Sequence, residues 1–389
     1  MKIELERPWT VRLEALPPLA LYVHIPWCVR KCPYCDFNSH QRGGEPPEGE
    51  YVDALTADLD ELLPSVWGRR LSSVFIGGGT PSLFSPEAID RLLSEVRARL
   101  PLEPEAEVTL EANPGTVEAA RFRGFRQAGV NRLSLGVQSL EDRMLAALGR
   151  IHSADEARRA VELALREFGN VNLDLMYGLP GQTLAQARVD IGQAARLGTP
   201  HLSAYQLTVE PNTVFWSQRP LLPEHDACAD MELAVEETLG AAGFGHYETS
   251  AFARPGRRSR HNLNYWEFGD YLGIGAGAHG KVSFPDRVTR HARIKQPRDY
   301  MQAQGSTVAE QRQLRPTELP FEFMLNALRL LEGFPLALFQ ARTGLAIGSI
   351  EPALALAEQK GLIERDWQRI RPSERGRRFL NELVELFLA

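Results

Sequence analysis

The chain contains 389 residues, of which 43% are hydrophobic and 24% are charged, and its formal net charge is −6 at pH 7. This composition supplies enough apolar surface for a full core and excludes an intrinsically disordered chain. Because the net charge is slightly negative, the chain lacks the overall positive potential that attracts nucleic acid, so a nucleic-acid partner is not indicated. The length favours two or three domains, or one large barrel with an appendage.

Export and membrane insertion are not indicated either. No apolar run approaches the roughly 18 residues that a membrane-spanning helix requires. The first twenty residues lack the continuous apolar core of a signal peptide. Because the chain has only four cysteines, we expect a cytoplasmic protein in a reducing compartment, where closely spaced cysteines bind metal more often than they form disulfides.

Three of those cysteines, Cys28, Cys32 and Cys35, lie in the stretch W-C-V-R-K-C-P-Y-C-D-F with the spacing C-x3-C-x2-C. Three thiolates are one ligand short of a closed zinc site. On a [4Fe–4S] cube they would leave one iron open to another ligand. Three alternatives remain: a zinc site with His24 or His40 as fourth ligand, a redox pair at the last two cysteines, and free core cysteines.

A repeated strand–helix pattern follows. Apolar runs alternate with amphipathic helices such as Tyr51–Leu63 and Ser85–Leu100, about one unit every 35 residues. Such alternation predicts a parallel sheet with right-handed crossovers. Six units are too few for a closed eight-stranded barrel, so the sequence predicts an α/β fold with a partial, open barrel. The six predicted strands are Leu19–His24, 71–76, Glu107–Glu111, Arg132–Val137, Asn170–Met176 and His201–Thr208.

Polar residues and glycines follow or end these strands, where chemistry collects in parallel α/β folds. Glycines let the backbone approach a ligand closely, and the guanidinium of Arg150 suits a carboxylate. The acids Glu111 and Asp174 suit ribose hydroxyls or an ammonium group, and Tyr34 could face an adenine. A cysteine cradle followed by such residues in successive units indicates one shared ligand site.

The cysteine spacing, the strands and G-G-G-T-P together resemble the radical S-adenosylmethionine (SAM) superfamily. That resemblance implies a partial (β/α)6 barrel whose cluster, on Cys28, Cys32 and Cys35, binds SAM through its open iron. It also implies a set of SAM contacts on the matching positions. These are Tyr22, Gly78, Gly79, Thr80, Glu111, Gln138, Arg150 and Asp174.

The chain after the barrel divides into two further parts, so that we expect a barrel over residues 15–245, a connecting segment over 246–296 and a terminal module over 297–389. The connecting segment contains the basic run Arg254–Arg260 and the motif H-N-L-N-Y-W. Its G-x-G-x-x-G at 275–280 is followed by a predicted strand instead of a helix, which argues against a dinucleotide site. The terminal module reads as helices, a hairpin and a closing helix, which resembles a winged-helix-like α+β module.

Longer motifs sharpen the resemblance to the oxygen-independent coproporphyrinogen III oxidase family. They include L-Y-V-H-I-P-W-C, G-V-Q-S and D-L-M-Y-G-L-P-G-Q-T. In the decarboxylases of that family a fourth cysteine stands two positions after the third, where this chain has Phe37. Only 21 residues precede Tyr22, fewer than in those enzymes. Both departures argue against oxidative decarboxylation of coproporphyrinogen III, which remains the alternative function.

The other branch of the family consists of heme chaperones, and it resembles this chain in C-P-Y-C-D-F-N-S-H and H-N-L-N-Y. The resemblance implies that His261 and Tyr265 bind heme, since imidazole and phenolate are both known axial ligands of heme iron. It leaves open which of the two ligates the iron. It further implies heme as cargo, respiratory hemoproteins as recipients, peripheral membrane association and a homodimer.

Overall fold

The computed structural model describes residues 10–116 and 119–388. The strands are β1 (Leu19–Ile25), β2 (Trp27–Cys28), β3 (His40–Gln41), β4 (Leu71–Gly78), β5 (Leu102–Ala112), β6 (Arg132–Gln138), β7 (Val171–Tyr177), β8 (His201–Gln206), β9 (Gly245–Glu248), β10 (Ala251–Ala253), β11 (Asp270–Ile274), β12 (His279–Phe284), β13 (Arg287–Arg293), β14 (Val308–Gln313), β15 (Phe334–Pro335), β16 (Ile363–Arg365) and β17 (Arg369–Pro372). The helices are α1 (Glu48–Leu62), α2 (Pro86–Arg99), α3 (Ala119–Ala128), α4 (Asp142–Ala147), α5 (Ala154–Glu167), α6 (Leu184–Ala195), α7 (Val214–Gln218), α8 (His225–Ala241), α9 (Arg260–Trp266), α10 (Pro297–Met301), α11 (Leu319–Ala327), α12 (Leu336–Thr343), α13 (Glu351–Gln359), α14 (Glu374–Arg378) and α15 (Leu380–Glu385).

The predicted partial barrel is confirmed. Strands β1, β4, β5, β6, β7 and β8 lie side by side in chain order, and each pairs with the next in parallel. Helices connect these strands, as the alternating pattern predicts. The sheet does not close on itself. At one edge it continues through β11, which is parallel to β1, into antiparallel β12, β13 and β14, and at the other edge through antiparallel β10 and β9. The carboxyl ends of the six parallel strands therefore form one open rim.

The helices begin where local sequence favours a helical start. The hydroxyl of Ser85 caps α2 by accepting the N–H of Ala88. Reciprocal capping boxes begin α5, at Ser153 and Glu156, and α6, at Thr183. The buried face of α5 consists of small alanines and a valine, so the helix can approach the sheet closely.

The segment that the sequence suggests as a connector contributes to the main sheet. Strand β11 lies parallel to β1, and β12, β13 and β14 follow it in antiparallel order. Helix α9, which carries the H-N-L-N-Y-W motif, precedes β11 and packs against β4 and β1. The glycine motif at 275–280 forms the loop between β11 and β12 and the start of β12, so no helix follows it. The domain limits at 246 and 297 stay predictions.

The terminal module is α+β, as predicted, and has a hydrophobic core of its own. Phe323 packs against Phe334 at 4.9 Å and Phe339 at 5.3 Å between ring centroids. Strands β16 and β17 form the predicted hairpin, and β15 pairs with β17. The same core includes Phe268 from the turn after α9 and Val288 from β13, so the module is attached to the edge of the main sheet. In the described part of the chain, no helix is both long and apolar enough to cross a membrane.

Candidate functional site

The three clustered cysteines lie on the loop that leaves β1. Cys28, Cys32 and Cys35 are free thiols, and all three line a cavity of about 370 Å³ at the rim of the barrel. Each sulfur has a polar neighbour. Cys28 accepts a hydrogen bond from the Thr80 hydroxyl at 3.6 Å, and Cys32 accepts one from Arg150 at 3.5 Å. These donors would stabilise thiolates and the sulfur atoms of a cluster.

The donor set fits an iron–sulfur cube better than a single metal ion. Among residues 10–116 and 119–388, no three His, Cys, Asp or Glu side chains converge as ligands of one ion. Thiolates on a cube bind different iron atoms and need not converge on one point. The zinc alternative loses its proposed fourth ligands, because both ring nitrogens of His24 are bonded to protein oxygens and His40 bonds Asn38.

Eight of the predicted SAM-binding residues line the same cavity as the cysteines. They come from the cysteine loop, from the ends of four neighbouring strands and from the turn after α4. These residues are Tyr34, Gly78, Gly79, Thr80, Glu111, Gln138, Arg150 and Asp174. Tyr22 is the exception, because it lines an adjoining cavity and its hydroxyl donates to His24 Nδ1 at 2.8 Å. The SAM contacts themselves stay predictions.

The glycines after β4 are required by close approach to the cysteine loop. A Cβ on Gly79 would lie 2.5 Å from the Trp27 carbonyl oxygen, which is shorter than any tolerated contact. The Gly79 N–H donates to Ile25 O at 2.8 Å, and the Thr80 N–H donates to Trp27 O at 2.7 Å. Gly78 adopts φ +117°, a conformation that favours glycine. The G-G-G-T-P turn therefore fixes the position of the cysteine loop.

Arg150 is engaged mainly with protein atoms. Its Nη2 donates to Asn113 Oδ1 at 2.6 Å and to Gly136 O at 2.7 Å, while Nη1 meets the Cys32 sulfur. The Asn113 amide in turn donates to Thr80 Oγ1 at 2.8 Å. Arg150 therefore braces the cysteine loop against β6. Its Nε is buried without a hydrogen-bond partner among the described residues.

The two predicted carboxyls, Glu111 on β5 and Asp174 on β7, line the cavity on either side of β6 and share a low-dielectric environment. Burial, followed by the negative charge of Asp174, raises the pKa of Glu111 to about 8. Burial also raises the pKa of Asp174, although its hydrogen bonds from Ser134 at 2.8 Å and Asn172 at 2.9 Å act in the opposite direction. Glu111 accepts the Gly78 N–H at 3.0 Å. Glu111 is therefore protonated at neutral pH.

This protonation predicts a pH-dependent stability. Between about pH 4.5 and 8 the folded protein keeps a proton on Glu111 that the unfolded chain has lost. The free energy of unfolding therefore falls as pH rises through that interval, with a slope from this group of up to about 1.4 kcal/mol per pH unit. Urea unfolding across the interval should give a shallower slope for Glu111→Gln than for the parent protein. Equal slopes would contradict the assignment.

Sequence reasoning missed several residues of this cavity. Asn113, Ser134 and Tyr205 all line it. Asn113 stands two positions after Glu111 in the E-A-N-P stretch, so its place after β5 was a usable signal. Gln138 was predicted, but its φ of +68° was not. A left-handed glutamine carries local strain of a kind that clusters at functional sites.

A second, larger cavity of about 910 Å³ adjoins the first. Both predicted heme-binding residues, His261 and Tyr265, line it together with aromatic side chains such as Phe75 and Tyr271. The residues common to the two cavities are Asp36, Phe37, Gly78, Glu111 and Glu210. A ligand in the larger cavity would therefore lie next to one in the smaller.

The His261–Tyr265 pair is held rigidly. His261 is 1% exposed, and its ring stacks on Phe75 with centroids 5.0 Å apart. Its Nδ1 bonds the Ser73 hydroxyl at 2.9 Å and its Nε2 bonds the Tyr265 hydroxyl at 3.1 Å. Burial, with a smaller effect from Arg132, lowers the pKa of His261 to about 3, so the imidazole is neutral. Both ring nitrogens are thus occupied.

Phe37, which stands where the decarboxylases carry a cysteine, lies at the junction of the two cavities. Its side chain is 62% exposed and lines both of them. It contributes an apolar surface where a fourth thiol would have supplied a nucleophile or metal ligand.

The open parallel barrel with three free thiols at its rim defines a radical SAM protein. The chain matches the model of the Radical SAM superfamily over residues 22–191 and that of the HemN C-terminal domain over residues 314–379. Membership of this class implies a [4Fe–4S] cluster and SAM. Within it, the chain belongs to the family of the heme chaperones HemW, as the similarity to curated members over nearly its whole length demonstrates.

Three of those relatives are bacterial. The protein named heme chaperone HemW from Escherichia coli (strain K12) is 53% identical over 379 residues, covering 96% of this chain and 99% of the relative. Its namesake from Haemophilus influenzae is 49% identical, covering 96% and 98%. The one from Bacillus subtilis (strain 168) is 36% identical over 376 residues, covering 94% and 98%.

A solved structure has the same fold. The radical SAM enzyme coproporphyrinogen III oxidase (HemN) from Escherichia coli superposes with a TM-score of 0.80 over 98% of this chain and 91% of its own. At 24% sequence identity this similarity establishes the fold and carries no argument about activity.

Proposed function

We propose that this protein is a heme chaperone that binds heme in the larger cavity and delivers it to respiratory hemoproteins. The observation that carries the proposal is the contact between the two cavities, one lined by three thiols and the other by the His261–Tyr265 pair. The larger cavity, at about 910 Å³, lies within the range of pockets that enclose organic cofactors. Membership of the heme-chaperone family supports heme as the cargo.

In this proposal the smaller cavity holds a [4Fe–4S] cluster on Cys28, Cys32 and Cys35, with SAM beside it. When bound, the cluster supplies an open iron site and one-electron chemistry. The protein contributes the turn at Gly78 and Gly79, which fixes the cysteine loop, and the buried polar groups that face the ligand. The predicted SAM contacts on these residues are part of the proposal.

Tyr265 is the iron ligand that the geometry favours. A neutral imidazole has one donor and one acceptor nitrogen. In His261 one nitrogen is hydrogen-bonded to Ser73 and the other to Tyr265. If His261 ligated the iron, one of those hydrogen bonds would have to break at a buried position. Within residues 10–116 and 119–388, the Tyr265 oxygen forms a hydrogen bond with His261 alone and retains a free lone pair. Burial raises the pKa of Tyr265, so the bound metal must displace its proton.

Delivery to respiratory hemoproteins requires contact with proteins at the membrane. We therefore propose a cytoplasmic location with peripheral membrane association, and a homodimer as the assembled form. These proposals rest on the family and are tested by fractionation and by sedimentation of the purified protein.

One experiment separates this function from oxidative decarboxylation of coproporphyrinogen III. The cluster is reconstituted anaerobically, and one portion is titrated with heme while absorbance is followed. A second portion receives coproporphyrinogen III, SAM and a reductant, and protoporphyrinogen IX is measured. We expect saturable heme binding and no protoporphyrinogen IX. Absence of heme binding, or turnover to protoporphyrinogen IX, would each overturn the chaperone assignment.

A further inference from the structure

Lysine is rare in this chain, with five residues against 39 arginines. Two of the five, Lys31 and Lys295, line the larger cavity, and both are exposed. In the part of the chain that the structure describes, Lys281 forms an ion pair with Asp270, whereas Lys31 and Lys295 form none. Two cations without a carboxylate partner therefore stand at the edge of a ligand-sized cavity.

These two lysines are positioned by adjacent residues of the cysteine loop. The Lys31 ammonium donates to the Phe37 carbonyl at 3.1 Å. The Asn38 amide donates to the Lys295 carbonyl at 2.8 Å and to the Ala276 carbonyl at 2.8 Å. Lys31 comes from the loop after β1 and Lys295 from the segment after β13, so two remote parts of the chain meet at one edge of the cavity.

Neighbouring histidines do not add charge at this edge. His40 lies near Lys31 and His279 near Lys295. Burial, followed by the positive charge of the respective lysine, lowers the pKa of each imidazole. Both rings are therefore neutral at physiological pH, and the lysines supply the positive charge.

Charge is distributed unevenly along the larger cavity. Its acidic residues, Asp36, Glu111 and Glu210, all line the smaller cavity as well. Lys31 and Lys295 line the larger cavity alone. Each acidic residue therefore lies where the two cavities meet, whereas the two lysines line the larger cavity only. This arrangement matches a flat apolar ligand that carries carboxylates on one edge.

We propose that Lys31 and Lys295 bind the propionate carboxylates of heme and so fix the orientation of the macrocycle in the larger cavity. The inference rests on the proposed function, because it assumes that the larger cavity holds heme. An ammonium is a compact, strongly hydrated charge that suits a carboxylate at a solvent-exposed edge. Bound there, the propionates remain accessible from solvent, which favours release to a recipient.

The test compares heme with its dimethyl ester, which lacks the two negative charges, on the cluster-reconstituted protein. The parent should bind heme roughly tenfold more tightly than the ester, the effect of two exposed ion pairs. Lys31→Gln/Lys295→Gln should bind both ligands with the parent's affinity for the ester. Lys360→Gln, at an exposed position after α13, should behave as the parent.

Loss of heme binding and loss of the preference for heme over its ester have different consequences. If the parent binds neither ligand, the proposed function fails. If the parent binds both ligands equally, or the double variant keeps the preference for heme, the lysine assignment fails while heme binding stands. Because Lys31 adjoins Cys32, iron content is measured in every sample. If the double variant loses iron, the single variant Lys295→Gln is used instead to test the lysine assignment. An unchanged preference for heme over the ester in that variant overturns the proposal.

Discussion

Replacing Cys28, Cys32 or Cys35 with serine should lower the iron content of the reconstituted protein from about four atoms per chain to near zero. Each thiol lines the same cavity, and none is paired in a disulfide. The [4Fe–4S] cube has only three protein ligands, and the two thiolates that remain in each variant cannot hold it. A serine hydroxyl is too weakly acidic to replace a thiolate at neutral pH. Iron and sulfide are measured after anaerobic reconstitution, together with the visible absorbance.

Cys228→Ser is the matched control. Cys228 is 6% exposed on α8, and its thiol lies 3.8 Å from the Pro223 carbonyl oxygen. A serine hydroxyl can donate to the same oxygen, so folding should be preserved and the iron content should equal that of the parent. Loss of iron in Cys228→Ser, or full retention in any of the other three variants, would refute the ligand set.

The barrel and its rim could be predicted because their signals are local. An apolar run, a turn and an amphipathic helix determine each unit, and parallel pairing then brings the strand ends together. Glu111 and Asp174 are separated by 63 positions yet line the same cavity, because β5 and β7 flank β6 in the sheet. Their shared location can therefore be predicted without knowledge of any contact between the two side chains.

Features that depend on remote contacts could not be predicted. The Asn38 amide bonds the carbonyl of Ala276, 238 positions away, and that bond attaches the cysteine loop to the β11–β12 loop. Tyr22 faces the larger cavity because its hydroxyl bonds His24, whose other nitrogen bonds the Asn38 carbonyl. Strand β14 is mostly exposed, with the sequence V-A-E-Q-R-Q, so it lacks the apolar pattern that marks a buried strand.

The part of heme binding that depends on the iron atom is expected to require the Tyr265 hydroxyl. Tyr265→Phe should weaken binding of heme by at least about 100-fold, because even outer-shell changes at metal sites cost roughly 10- to 100-fold. Binding of iron-free protoporphyrin IX should be unaffected, since the phenylalanine ring retains the packing against His261 and Tyr271. Absorbance titration of both porphyrins measures the two affinities on one preparation.

His261→Gln is the comparison that assigns the ligand. A glutamine can still accept a hydrogen bond from Tyr265, but it loses the stacking on Phe75 at 5.0 Å. If Tyr265 ligates the iron and His261 positions it, this variant should lose less heme affinity than Tyr265→Phe, and its spectrum should retain the phenolate–iron band. The opposite pattern, with iron-specific loss in His261→Gln and none in Tyr265→Phe, would make the imidazole the ligand. That result would require the Ser73 or Tyr265 hydrogen bond to open when heme binds.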